Sequence, residues 1–492
     1  MMHDREKSHS AIRAEKPTNK AGPPAAEPVE QRAGTKRNAS EHSTHRTQGW
    51  VRVTQALDRV RQAARLRKEE KFTSLFHHLS VDLFREAFFA LKRDAAPGVD
   101  GLTWKTYEAD LELKLADLHS RVHRGAYRVL PSRRAYIPKA DGKQRPLAVA
   151  ALEDKIVQKA TVAVLNCVYE EEFLGFSYGF RPKRGQHDAL DALVVGITDR
   201  KVNFIFDADV ASFFDSVSKE WLVRFVEHRI GDKRIIRLIR KWLKAGVLEE
   251  EVVTVSEAGT AQGSVISPLL ANIYMHYVFD LWADRWRRRE AQGDVVIVRY
   301  ADDFVVGLEY ESDARRFWDA LCARLKEFAL ALHSDKTRLI EFGRHAVDRR
   351  ARAGLGKPET FKFLGFVFIC GKSRQGKFLI HRKSRRDRRR AKLAEVEKEL
   401  RKRMHQPIPE QGRWLGQVVR GYFAYHAVPT NGLSISAFRY HVERLWLRTL
   451  RRRSQKDRLA WERIKRLAND FLPQPRNLHP WPHERFAVKH SR

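Results

Sequence analysis

Two adjacent carboxylates, Asp302 and Asp303, lie in the tetrad Tyr300-Ala301-Asp302-Asp303, between the apolar runs Val295-Val296-Ile297-Val298 and Phe304-Val305-Val306. β-Branched and aromatic residues favour strands, and Asp is at ease in a turn, so the pattern predicts a hairpin displaying both acids. Like charges held this close repel unless a cation lies between them, and hard carboxylate oxygens suit Mg²⁺. The plainer alternative is a polar turn. A third acid weighs against that alternative. Val202 to Val210 forms another apolar run, in which Phe204, Phe206 and Ala208 face one way and Asp207 and Asp209 the other. Asp209 precedes Asp302 by 93 residues, beyond the reach of turn or capping chemistry. A tertiary fold has to unite them, and a divalent metal is the reason to do so.

The elements around these acids follow from periodicity. Leu75, Leu79, Leu83 and Ala87 recur at four-residue spacing and predict helix within 50–95, with Ser80 as a cap for an internal start. Residues 96–200 mix short strands, glycine turns and helices, and 200–370 read as a sheet backed by helices. Beyond Gly376 long helices are expected. Leu393, Val396, Leu400 and Met404 stripe the first, which Pro407 and Pro409 end, and Pro473 and Pro475 close a second helical block over 411–472. Residues 1–48 carry almost no large apolar side chains and cannot offset their ordering entropy, so a disordered basic tail is expected.

The 492 residues carry a net charge of +33 with a pI near 10.2. Residues 371–492 hold 32 Lys and Arg against 10 Asp and Glu, a net +22. Interleaved with Trp414, Tyr422, Phe423, Tyr425, Trp446 and Trp461, that excess points to a polyanionic partner such as nucleic acid rather than a membrane. Three scattered cysteines, Cys167, Cys322 and Cys370, give neither a disulfide framework nor a Cys-x-x-Cys zinc site. No apolar run has the length to span a bilayer and no secretion signal opens the chain, so a cytoplasmic location is the default.

Eight motifs in a fixed order resemble the reverse transcriptases encoded by bacterial group II introns, from about Phe72 to the C-terminus. They are Ala96-Pro97-Gly98-Val99-Asp100-Gly101, Ile137-Pro138-Lys139 through Arg145-Pro146-Leu147, Ser177-Tyr178-Gly179-Phe180-Arg181-Pro182, the Asp209 strand, Gln262-Gly263-Ser264-Val265-Ile266-Ser267-Pro268-Leu269-Leu270, the Asp302 tetrad, Asp335-Lys336-Thr337 and Phe363-Leu364-Gly365-Phe366. The resemblance implies an α+β right-hand polymerase, with fingers and a palm of antiparallel sheet backed by helices, then a helical thumb and a helical maturase domain. The implied division is 1–48 tail, 49–200 N-terminal extension and fingers with part of the palm, 201–375 palm, 376–409 thumb helices, 410–480 RNA-binding maturase helices and 481–492 C-terminal tail.

The same resemblance implies roles. Asp209, Asp302 and Asp303 would be catalytic and, with the backbone carbonyl of Val210, would hold two Mg²⁺ ions. Lys139, Arg145, Phe214, Gln262 and Lys336 would bind the nucleotide, Phe214 as the gate against a 2′-hydroxyl (or else a plain core residue). Phe363, Leu364 and Gly365 would grip the primer. Arg385, Arg386, Arg388, Arg389, Arg390, Arg420, Arg451, Arg452 and Arg453 are candidates for RNA binding. The implied partners are the group II intron RNA, an RNA template with a DNA primer, target DNA and dNTPs, and the implied task is copying the intron for retrohoming while assisting its splicing. A splicing factor with a vestigial polymerase, or a domesticated enzyme in phage defence or CRISPR spacer acquisition, are the alternatives. Ala261 replaces the family's usual proline, and His333 an asparagine. Many members carry a C-terminal His-Asn-His nuclease with paired cysteines. His479, His483 and His490 without cysteines do not supply one, so no endonuclease activity is expected and a primer would come from elsewhere, such as a replication fork.

Overall fold

The computed structural model describes residues 44–138, 144–249, 252–254, 258–259, 263–453 and 460–489. Among them are eleven strands: β1 Ser132–Pro138, β2 Gln144–Val149, β3 Phe204–Ala208, β4 Val247–Glu249, β5 Val252–Thr254, β6 Val295–Tyr300, β7 Asp303–Leu308, β8 Arg338–Glu341, β9 Phe361–Phe363, β10 Phe366–Lys372 and β11 Phe378–Ser384. They form three sheets, ordered β2-β1-β4-β5, β6-β7-β3-β8 and β11-β10-β9. In the second sheet every neighbouring pair is antiparallel.

Alternation along β3 and its neighbours decides what covers each face of that sheet. Phe206, Ala208, Ile297, Phe304 and Val306 pack into one core with the helices Leu152–Tyr169, Ser267–Met275 and Glu311–Glu327. Ile205, Val298 and Val305 point the other way, into a second core completed by the helix Gln186–Asp199 and by Phe361, Phe363, Phe366 and Phe368 of the third sheet. Asp207 and Asp209 share the second face, at the end of the strand where the apolar covering stops.

Some helices start where a short polar side chain satisfies a free N–H group, as Ser80, Thr103, Ser218 and Asp232 do. Ser80 accepts from the Leu83 N–H at 3.2 Å and opens Val81–Phe89, as expected. The stretch 50–95 is nevertheless two helices, Thr44–Leu66 and Val81–Phe89, joined by extended chain and one short 3₁₀ turn. Four-residue spacing of leucines over 75–87 could not distinguish a helix interior from residues that flank a cap. The first helix also begins within the span assigned to the tail; residues 1–43 lie outside the described residues.

Further expectations change. Residues 378–384 are strand β11, paired along its whole length with β10, so a boundary after 375 would cut a hairpin. The two helical blocks expected to be thumb and maturase share one core: Val396 and Leu400 from Arg386–Lys402 pack with Leu415, Val419, Phe438, Val442, Trp446 and Ile464. In that core Tyr422, Phe423 and Trp446 are buried, so these aromatics pack the bundle and do not form a base-stacking surface. An amphipathic helix puts its rings inside and its cations outside, and interleaving in sequence does not separate the two cases. The terminal stretch assigned to a tail contains the helix Pro482–Lys489, which packs on Gln186–Asp199, with Arg485 reaching Asp191 at 3.1 Å and His483 reaching Asp199 at 2.8 Å. Among the described residues no helix is long and apolar enough to cross a membrane.

Candidate active site

The hairpin predicted from the tetrad is present. β6 and β7 pair from Val295 with Leu308 to Tyr300 with Asp303, leaving Ala301 and Asp302 as the two-residue connection. Ala301 is buried at φ 59°, a left-handed conformation in which a non-glycine residue is strained. Asp303 is therefore the first residue of the strand, and only Asp302 lies in the turn. β3 runs antiparallel to β7 with Ala208 opposite Phe304, so the next step of that register brings Asp209 opposite Asp303. Both alternate onto the face that also carries Asp207.

A loop after the helix Glu311–Glu327 holds the Asp209 segment from its other side. The His333 N–H donates to the Asp209 carbonyl at 2.8 Å, Val210 bridges Leu332, and the Ala211 N–H donates to the Ala331 carbonyl at 2.9 Å. The His333 carbonyl then accepts from Lys336 N–H and Thr337 N–H, closing a turn that delivers the Lys336 ammonium to Asp209 Oδ2 at 2.5 Å. Since His333 acts here through its backbone, its replacement of asparagine leaves this geometry intact. Arg338, on β8, reaches Asp207 at 3.4 Å.

Crowding of like charge is the electrostatic signature of this site. Enclosure by protein, then repulsion from Asp302 and Asp209, pushes the Asp303 carboxyl from 3.8 up to about 7, although one side of it remains open to solvent. Arg388, from the helix Arg386–Lys402, opposes that rise. Burial likewise raises Asp207, with Arg338 opposing. Among the described residues no three His, Cys, Asp or Glu side chains already form a metal cage; Lys336 takes one oxygen of Asp209. The donor set nonetheless fits a divalent cation: the hard carboxylate oxygens of Asp209, Asp302 and Asp303 stand close enough to repel one another.

Residues 137–368 match the family model described as reverse transcriptase (RNA-dependent DNA polymerase). Protein YkfC of Escherichia coli K12 is 33% identical over 301 residues, covering 52% of this chain and 77% of YkfC. The chain belongs to the reverse transcriptase family. The group II intron-encoded protein LtrA of Lactococcus lactis subsp. cremoris is 32% identical over 222 residues, covering 45% of this chain and 37% of LtrA. An uncharacterized 91 kDa protein in a cob intron of Schizosaccharomyces pombe is 35% identical over 199 residues, 40% of this chain and 24% of that protein. The chain thus aligns with well under half the length of these two intron-associated relatives.

The other residues singled out for a reverse transcriptase fall as follows. Phe214 lies in the short helix Phe213–Ser216 after Asp209, half-buried beside fully buried Phe213. Phe363 ends β9, and Leu364 and Gly365 make the tight connection to β10, with Leu364 at φ 43° and Gly365 at φ 81°. The Leu364 carbonyl accepts from Tyr425 Oη at 2.6 Å and the Gly365 carbonyl from the Arg385 N–H at 3.1 Å. A Cβ on Gly365 would meet Arg388 Nη1 at 3.3 Å, so the missing side chain leaves room for that guanidinium. Phe363 itself is core. Lys139 and Gln262 lie outside the described residues, as does the side chain of Arg145; β1 and β2 pair from Arg133 with Val149 to Pro138 with Gln144.

The candidate RNA-binding arginines divide. Arg386, Arg388, Arg390, Arg420, Arg451 and Arg452 are exposed, while Arg389 is half-buried. Arg385 is paired with Asp387 at 2.5 Å, and the Arg453 guanidinium donates to the Gln406 carbonyl, a contact internal to the bundle. One residue missed from the sequence is Arg299. It stands among the apolar residues of β6 and is fully buried beneath the acidic turn. An arginine at a core position of an otherwise apolar strand was the available signal.

Proposed function

We propose that this reverse transcriptase copies an RNA template into DNA at Asp209, Asp302 and Asp303, and that it does so for a group II intron whose RNA it also binds. The observation that carries the reading is the closeness of Asp209, one residue past the end of β3, to Asp303 at the start of the adjacent antiparallel strand β7, with Asp302 at the neighbouring turn. The second sheet would be the palm, the β1–β2 hairpin part of the fingers, and Arg386–Lys402 the first thumb helix. Asp209, Asp302, Asp303 and the Val210 carbonyl would hold two Mg²⁺ ions, whose chemistry is to activate the primer 3′-hydroxyl and stabilise the leaving pyrophosphate. Lys336, beside Asp209, would hold a proton for that pyrophosphate. Lys139, Arg145 and Gln262 would bind the nucleotide, and Phe363, Leu364 and Gly365 would steady the primer. Primer extension on poly(rA)/oligo(dT) with Mg²⁺ tests the reading; no synthesis by folded protein would reject it.

Phe214 would exclude ribonucleotides by contact with a 2′-hydroxyl. Phe214→Val is expected to narrow the preference for dNTP over rNTP by about tenfold or more, the scale set by one steric contact. Unchanged selectivity would make Phe214 a core residue only.

The elevated Asp303 carboxyl predicts how metal and pH combine. Between its ordinary 3.8 and about 7 the folded chain keeps a proton that the unfolded chain has released, so this group makes stability fall as pH rises through that window. Repulsion is complete above it, and that is where a divalent cation has most to relieve. MgCl₂ should therefore raise Tm more at about pH 8 than at about pH 6, and Asp303→Asn should abolish the difference. Equal increments at both pH values would contradict it.

Intron binding draws support from the exposed cations on the C-terminal bundle and from the likeness to LtrA, itself named as intron-encoded. Stimulation of intron self-splicing at low Mg²⁺ is the test. Copying without stimulation would favour a domesticated polymerase; stimulation without copying would favour a splicing factor with a vestigial polymerase.

A further inference from the structure

The acidic turn is shaped from beneath by one side chain. Arg299, the residue before Tyr300, is fully buried, and each of its five N–H groups meets an acceptor. Nε donates to Asp280 Oδ1 at 2.6 Å and Nη2 to Asp280 Oδ2 at 2.5 Å, a bidentate pair. Nη2 also donates to Ser177 Oγ at 2.7 Å, while Nη1 donates to Asn272 Oδ1 at 3.1 Å and to the Ala301 carbonyl at 2.7 Å. The last bond fixes the peptide that follows the left-handed residue of the turn.

The peptide that precedes Ala301 is confined as well. Phe176 to Tyr178 runs beside β6, its backbone bonded to Arg299 in both directions at 2.9 Å. This brings Gly179 against the turn so closely that a Cβ there would lie 2.2 Å from the Ala301 nitrogen. Asn272 joins the two sides, donating from Nδ2 to the Gly179 carbonyl at 2.6 Å. Asp280 belongs to a π-helical turn, His276–Asp280, between two α-helices; such an insertion re-aims a side chain and is frequent near functional sites. His276, 3.9 Å from Asp280, is pushed down to about 4 by burial and stays neutral, leaving Arg299 as the cation that balances Asp280.

We propose that Arg299, anchored by Asp280, Asn272 and Ser177, is a positioning residue that holds Ala301 in its left-handed conformation and thereby sets where Asp302 and Asp303 stand. It touches no substrate. The proposal rests on the reading of those two acids as the reacting carboxylates, and it goes further by assigning the turn's geometry to a buried guanidinium. A relaxed turn would present both acids displaced from Asp209 while leaving the nucleotide's other contacts alone.

Single-turnover primer extension on the full chain tests this. Arg299→Lys keeps the charge but loses the fork of donors, and is expected to lower the polymerisation rate constant 10- to 100-fold, the usual penalty for removing a group that orients metal ligands. The half-saturating Mg²⁺ concentration should rise, while apparent dNTP affinity at saturating Mg²⁺ changes little. Adding Ala301→Gly to Arg299→Lys should recover part of the rate, because glycine takes the left-handed conformation without strain. A wild-type rate and Mg²⁺ dependence per active molecule, with only a lower Tm, would overturn the proposal, as would failure of Ala301→Gly to recover any rate. Should Arg299→Lys fail to fold, Ser177→Ala, which removes one acceptor and no charge, is read in the same way. Wild-type enzyme and Asp209→Ala run in parallel separate this outcome from failure of the polymerase reading itself, which would show as absent synthesis by the wild type.

Discussion

Asp209→Ala is expected to abolish DNA synthesis, with a loss on the order of 10³-fold or more in the polymerisation rate, because it removes a carboxylate shared by the proposed metal sites. The loss should not come from unfolding. Asp209 pairs with Lys336, whose side chain is 59% exposed, and an ion pair open to water contributes about 0–1 kcal/mol. Affinity for primer-template should hold or tighten slightly, since a negative charge leaves a surface that meets phosphates. Primer extension paired with filter binding and a melting curve checks all three outcomes. Retained synthesis would refute the role of Asp209, and a collapsed melting transition would refute the claim that the residue is dispensable for folding.

Asp191→Ala should have the largest effect on stability of any single change considered. Its carboxylate is 2% exposed and joins three elements: Arg382 of β11 donates to Oδ1 at 2.7 Å, and Arg485 of the terminal helix lies 3.1 Å from Oδ2. Burial raises Asp191 and lowers Arg382, so for both partners desolvation outweighs their mutual attraction. Such a pair adds little net stability, yet breaking it strands the remaining charge in the core, at about 3–5 kcal/mol. Chemical denaturation should show a loss of that size for Asp191→Ala. The double change Asp191→Leu with Arg382→Met should recover much of it, because no uncompensated charge stays buried between those two positions. A loss below about 1 kcal/mol in the single variant would show that water reaches Arg382.

The acidic hairpin was legible because every signal for it is local. Apolar runs with a period of two, interrupted by residues tolerant of turns, specify two strands and the connection between them. Ser80 was legible as a cap for the same reason. β11 was not: its basic, half-polar sequence Phe378–Ser384 reads as the approach to a helix, and its strand identity comes from pairing with β10. Aromatics at Tyr422, Phe423 and Trp446 sit among cations in sequence but point inward once the helices pack. Residues 482–489 gain their role only by docking on a helix nearly three hundred residues earlier.

By itself, then, the sequence determined the strand that leads into Asp209 and the one that begins at Asp303, the excess of positive charge toward the C-terminus and the motif order that marks a reverse transcriptase. Only the tertiary structure decided that Asp209 falls opposite Asp303, that Lys336 reaches Asp209, and that Arg299 lies buried beneath the turn. The physical reason is range. Periodicity and turn propensity act over a few neighbouring residues, whereas strand register and buried ion pairs join segments tens to hundreds of residues apart.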